Sequence, residues 1–234
     1  MSRRREPQRI VQLNIHQNAM ALAKSARLSN TTSKRVRGGQ RNEKVPFSPP
    51  EDWYEPSEQP LRNVDYRIVS QPPGKGFQHV VSPAEIAVRL SELPEHMLWP
   101  LEVVQLSRMT RKKRSFPCYG MQWGTTLYLY PLEETRIEYF SQPPKPAQFN
   151  EARMYGGRWV QEDDMNWQLH WSKSSLKDYY LNNILIHELG HLLDNRNSRY
   201  EDREGFAESF AIQHGYRPTR IGQRRTVKRR HHST

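Results

Sequence analysis

Cysteine is almost missing from this chain of 234 residues: Cys118 stands alone. No intramolecular disulfide can form, and no cysteine-based zinc knuckle can be assembled. Long apolar runs are missing too. No stretch of 18 apolar residues occurs, which argues against a transmembrane helix. The first 28 residues have a basic start but no continuous apolar core, so a secretory signal is not expected, and the chain reads as cytoplasmic. Their Arg and Ser content with little acid also resembles an organellar transit peptide. Hydrophobic residues make up only 35% and the mean hydropathy is −0.94, so part of the chain has no core to join.

Acid is scarce at both ends. Residues 1–45 carry a net charge of +9 and residues 217–234 one of +7, which leaves −5 of the total +11 for residues 46–216. The pI of 9.9 therefore describes the tails and not the middle. These tails can neutralise phosphates without sequence preference, making nucleic acid a candidate partner, or they can act as solubilising arms. No aromatic residue interleaves the C-terminal run, so base stacking is not suggested there.

The composition divides the chain into a basic tail (1–45), a Pro-rich linker or strap (46–63), a folded domain (64–216) and a second basic tail (217–234). Within the first tail, Arg9 to Leu28 carries an imperfect helical stripe. In the strap, Trp53 and Tyr54 are candidate anchors over the domain. Ser82-Pro83-Ala84-Glu85 predicts an N-cap, and Pro94 a stop, for a helix bearing Ile86, Val88, Leu90 and Leu93. Leu101 to Leu106, Thr125 to Leu132 and Arg136 to Phe140 read as strands. Residues 158–160 and 167–171 read as a hairpin-like pair. Tyr128 and Tyr130 are expected either on a sheet edge that pairs with an extended peptide or in an ordinary two-sided strand. A long helix follows, capped by Ser174 or Ser175 and running to about Asp194. A second runs from Tyr200 or Glu201 to His214 and ends at Gly215, which makes His214 a helix-end residue. Strands followed by two helices indicate an α+β fold.

The chemistry concentrates in those two helices. His187 and His191, four residues apart, point from one helix face at a separation suited to a shared metal. Glu188 stands beside the first of them, where it can take a proton from water. Gly190 lets another backbone or a substrate come close. Two histidines leave a zinc site one protein ligand short, and the next helix offers Glu204 and Glu208 on one face, with Phe206 and Phe210 on another. Glu204 suits the metal, and Glu208 suits the role of holding a ligand histidine by its other ring nitrogen. The expected cofactor is one Zn2+ per chain, and the expected substrate is a protein or peptide.

The run HELGHLLD followed by EGFAESFA resembles the glutamate-type zincins, and within them the catalytic domain of anthrax lethal factor and related peptidases. The resemblance covers about residues 174–216 and implies a zincin-like fold: a small antiparallel or mixed sheet packed on the HExxH helix, with a second helix carrying the glutamate ligand. It matches Asp194 to an aspartate three residues after the second histidine, and Glu204, Phe206, Ala207 and Glu208 to the downstream helix. That family has a tyrosine seven residues before the ligand glutamate. This chain has Asn197 there, so Tyr200 becomes the candidate electrophile, and Asp194 reads as structural. Twelve residues separate His191 from Glu204, a short connection. Two other classes stay open. A nucleic-acid-associated metalloprotease resembling the Spartan family would explain basic tails and the segment EDREG, but its histidine ligand falls at Phe206. The other is a non-catalytic basic protein, structural or virion-associated, with a relict zinc site.

Overall fold

The computed structural model describes residues 50–51, 53–54, 66–115, 118–163 and 166–221. The expected helix from Arg9 to Leu28 and both basic tails, apart from the stretch up to residue 221, lie outside the described residues.

Among the described residues, three small sheets and six α-helices form the α+β fold expected from the strand-then-helix order. The main sheet contains β1 (Arg67–Ser70), β3 (Val103–Leu106), β5 (Thr126–Leu129) and β4 (Gly120–Trp123), in the order β1-β3-β5-β4. The first three are parallel, and β4 runs antiparallel along the outer side of β5. A two-stranded ladder pairs β2 (Phe77–Gln78) with β6 (Leu132–Glu133). A three-stranded antiparallel sheet orders β7 (Ile137–Phe140), β9 (Trp167–His170) and β8 (Arg158–Gln161).

The parallel pair β1–β3 needs a crossover, and helix α1 (Pro83–Ser91) lies within it. Its start is the expected capping box. The Ser82 hydroxyl accepts the Glu85 N–H at 3.3 Å, and the Glu85 carboxylate accepts the Ser82 N–H at 2.9 Å. Helices α2 (Arg111–Ser115) and α3 (Pro146–Met154) were not anticipated. All residues of β3 and β5 are buried, so both faces of the sheet are covered. Val104, Leu106, Leu127 and Leu129 join the core with Ile86, Leu90 and the helices further on. On the other side, Tyr128 is sealed in, and its hydroxyl accepts the N–H of Tyr54 at 3.0 Å. The Arg67 guanidinium lies over the Tyr54 ring at 5.6 Å. Tyr54 is thus an anchor, whereas Trp53 is exposed.

Several boundaries move. The expected strand from Thr125 to Leu132 divides into β5 and β6, and among the described residues β1 and β4 are the outer strands of the main sheet, so Tyr128 belongs to an inner, two-sided strand. Ser172, not Ser174 or Ser175, caps α4 (Lys173–Tyr179), because Ser175 serves as its capping-box partner. The long helix is not uniform. A π-helical turn at Tyr180–Ile184 separates α4 from α5 (Leu185–Leu193). The last helix, α6 (Tyr200–Ala211), passes through a second π-helical turn at Ile212–Tyr216 and continues to residue 221. Gly215 therefore does not end the helix, and His214 lies within it. Gly215 is there for space, since a Cβ at that position would sit 1.9 Å from the carbonyl oxygen of Asn182. The two wider turns press together, and the buried Arg89 ties them by donating to the Asn182 side chain and to the His214 carbonyl. No helix among the described residues is long and apolar enough to cross a membrane.

Candidate metal centre

The site starts from a contact between two helices. A Cβ on Gly190 would lie 3.0 Å from Cα of Ala207 and 3.2 Å from Cβ of Phe210. Ala207 is itself fully buried. Small residues at 190 and 207 therefore let α5 and α6 cross closely, which realises the expected role of Gly190 through a backbone approach. The tight crossing puts Glu204, one turn before Glu208, opposite the two histidines.

The short link between the helices is organised by Asp194. It caps the end of α5, and its Oδ1 accepts N–H groups of Arg196 at 3.3 Å and Asn197 at 3.2 Å, with the Asn197 amide at 3.0 Å. Burial alone would raise the Asp194 carboxyl, but these donated bonds, first of all from Asn197, hold it below the ordinary carboxylate range. Arg203 donates to the carbonyl of His191 at 3.3 Å and fastens the start of α6 to the end of α5. Asp194 thus acts through the turn. Asn197 is its partner, through its backbone N–H and its side-chain amide.

His187 is buried, and His191 and Glu204 are half-buried. Nε2 of His187 lies 3.5 Å from one oxygen of Glu204, and Nε2 of His191 lies 3.3 Å from the other. The imidazoles stand edge to face, 4.7 Å between centroids. One ligand atom from each of the three residues falls within 4.8 Å of the others, so the group can hold a metal ion. Two imidazole nitrogens and a carboxylate oxygen are a donor set that zinc accepts, and three protein ligands leave one position open. Glu208 is exposed on α6 and is not among these three.

Glu188 is buried beside His187, and burial pushes its carboxyl above the ordinary carboxylate range. His187 and His191 pull in the other direction, Glu204 adds to the rise, and Lys113 opposes it. Tyr200 opens α6 and shares a hydrogen bond with Glu204. Its phenol is raised above its ordinary value by burial first and then by the Glu204 and Glu188 carboxylates, so it stays protonated as a donor. Tyr200 is thus gathered at the same place as the three candidate ligands.

Sequence reasoning missed the opposite side of the site. Strand β4 lies along α5, with Gly120 against Glu188. Behind it, the carboxylate of Glu138 is fully buried and accepts the Tyr119 hydroxyl at 2.8 Å and the Trp171 indole N–H at 2.8 Å. A signal for β4 does exist. Trp123 pairs with Thr126 across Gly124-Thr125, a two-residue turn whose first position takes a positive φ of 57°. Glycine there is the mark of a tight hairpin. Nothing local singles out Glu138. Comparison with protein-family models, with curated proteins and with solved structures gives no match to this chain.

Proposed function

We propose that the chain is a zinc-dependent metallopeptidase with a site of the glutamate zincin type. One observation carries the reading: His187, His191 and Glu204 bring their ligand atoms within 4.8 Å, while Glu188 is buried directly beside the first of them. A zinc ion bound by these three residues supplies Lewis acidity that polarises a carbonyl and lowers the pKa of water towards neutrality.

The rest is the work of the chain. Glu188 accepts the proton of the attacking water at its carboxylate and delivers it to the departing amine nitrogen. Tyr200, held protonated, donates towards the carbonyl oxygen of the scissile bond as negative charge grows there. Asp194 and Asn197 fix the turn that sets Glu204 against the histidines. Among the described residues β4 has a ladder partner on one side only, and such an edge can take an extended peptide as an added strand. The edge lies along the helix that bears Glu188, which supports a protein or peptide as substrate.

The test is Glu188→Gln, assayed for zinc content and for cleavage of a fluorescent casein. Zinc is expected to stay bound while turnover falls by about 10²- to 10⁴-fold. Cleavage at the wild-type rate would refute Glu188 as the base.

A further inference from the structure

We propose that Gly120 is a positioning residue for Glu188: the edge strand β4 forms a wall for the carboxylate, and the seat exists because position 120 has no side chain. The inference rests on the peptidase reading for its catalytic meaning and on packing for its geometry.

A Cβ at position 120 would lie 2.8 Å from Oε1 and 2.9 Å from Cγ of Glu188, and 2.8 Å from Cγ2 of Ile184. Real carbon contacts do not come that close, so something would have to move. Gly120 does not occupy the left-handed region of φ, unlike Gly124, so conformational freedom is not what position 120 needs. It needs room.

The strand cannot readily provide that room by withdrawing. Gly120 is in register with Leu129 on β5, and the Tyr119 carbonyl accepts the Tyr130 N–H at 2.8 Å. The Tyr119 side chain is pinned as well. Its hydroxyl donates to Glu138, which is held in turn by the Trp171 indole, and its ring stands edge-on to Tyr179 at 5.3 Å and Tyr180 at 5.9 Å. Ile184 belongs to the π-helical turn that leads into α5 and is equally buried. With β4 fixed from behind, the movable group is the Glu188 side chain. A methyl at 120 swings the carboxylate away from the place where it meets water. Glu138 and Tyr119 thereby act at second hand, by holding the wall.

The experiment is Gly120→Ala, in the full chain, alone and together with Glu188→Ala. Alone, it is expected to keep zinc, to leave KM within about 3-fold and to lower kcat about 100-fold, because the base is displaced and not removed. Its melting temperature should fall on the order of 5 °C. In the Glu188→Ala background the same change should lower it by less than half as much, since the carboxylate it strikes is gone. An equal loss in both backgrounds assigns the penalty to Ile184 and overturns the proposal, as does a Gly120→Ala chain with wild-type kcat. A wild-type chain that cleaves no peptide ends the peptidase reading and the catalytic side of this proposal with it. The thermal comparison then still decides whether Gly120 seats Glu188.

Discussion

The candidate site has two walls, and they differ in how their residues are spread along the chain. The helical wall is local. His187, Glu188, His191, Asp194, Asn197, Tyr200 and Glu204 fall within 18 consecutive residues, gathered by helical spacing within α5 and by the short turn that folds α6 back on it. The strand wall is assembled from Tyr119, Gly120, Glu138 and Trp171, which are drawn from two sheets and the loop leading into α4. The helical wall carries the groups that can hold a metal. The strand wall carries a buried acid and a gap. One wall is recognisable by residue type at fixed spacing, whereas the other exists only as tertiary packing.

The largest effect that separates the two walls should come from Glu138. Its carboxyl is raised from the ordinary value of 4.5 to about 7, by burial above all, while the bonds from Trp171 and Tyr119 limit the rise and Glu133 adds to it. A carboxyl whose value is higher in the folded chain binds protons more tightly there than in the unfolded chain. Its stabilising contribution is complete below pH 4.5 and is lost as pH rises through 7. The loss amounts to on the order of 3 kcal/mol across that window. Unfolding by urea at pH 5 and pH 8 should show this decline in wild type and a shallower one in Glu138→Gln. Equal slopes would mean that the acid behind β4 is not the titrating support described above.

A smaller effect is expected on the helical wall. Asn197→Ala removes two of the hydrogen bonds to Asp194, both from the Asn197 side-chain amide, while the backbone N–H bond is retained, and the turn is loosened. The cost should be about 1 kcal/mol in urea unfolding, with a modest weakening of zinc binding as Glu204 loses its fixed approach. Unchanged zinc affinity together with unchanged stability would show that the turn does not set the third ligand.

The comparison also explains what could be read in advance. The capping box at Ser82, the α+β order and the three residues that can hold a metal ion are written in short-range patterns: cap chemistry, strand runs and the spacing of two histidines with a following carboxylate. The same short-range logic misjudged Gly215. A glycine after a helical stretch resembles a terminator, but here it makes room for Asn182 in a neighbouring turn, and no local signal reports that. The π-helical turns likewise depend on how two helices press on each other. The sequence left Tyr128 between an edge and a two-sided strand because alternation is visible in sequence and strand order is not; β5 is the inner, two-sided strand. The outer strand beside β5 is β4, whose glycine-led hairpin was the available clue. Glu204 and Glu208 share a helical phase, and the group that can hold a metal contains Glu204.

The central claim is that His187, His191 and Glu204 hold one zinc ion. Zinc per chain after exhaustive dialysis, measured by atomic emission in a His231→Ala, His232→Ala background that removes the tail histidines, tests it most directly. The account predicts about one zinc per chain, its loss in His187→Ala and in Glu204→Ala, and its retention in Glu208→Ala. No bound zinc, or zinc that survives Glu204→Ala but is lost in Glu208→Ala, would contradict it.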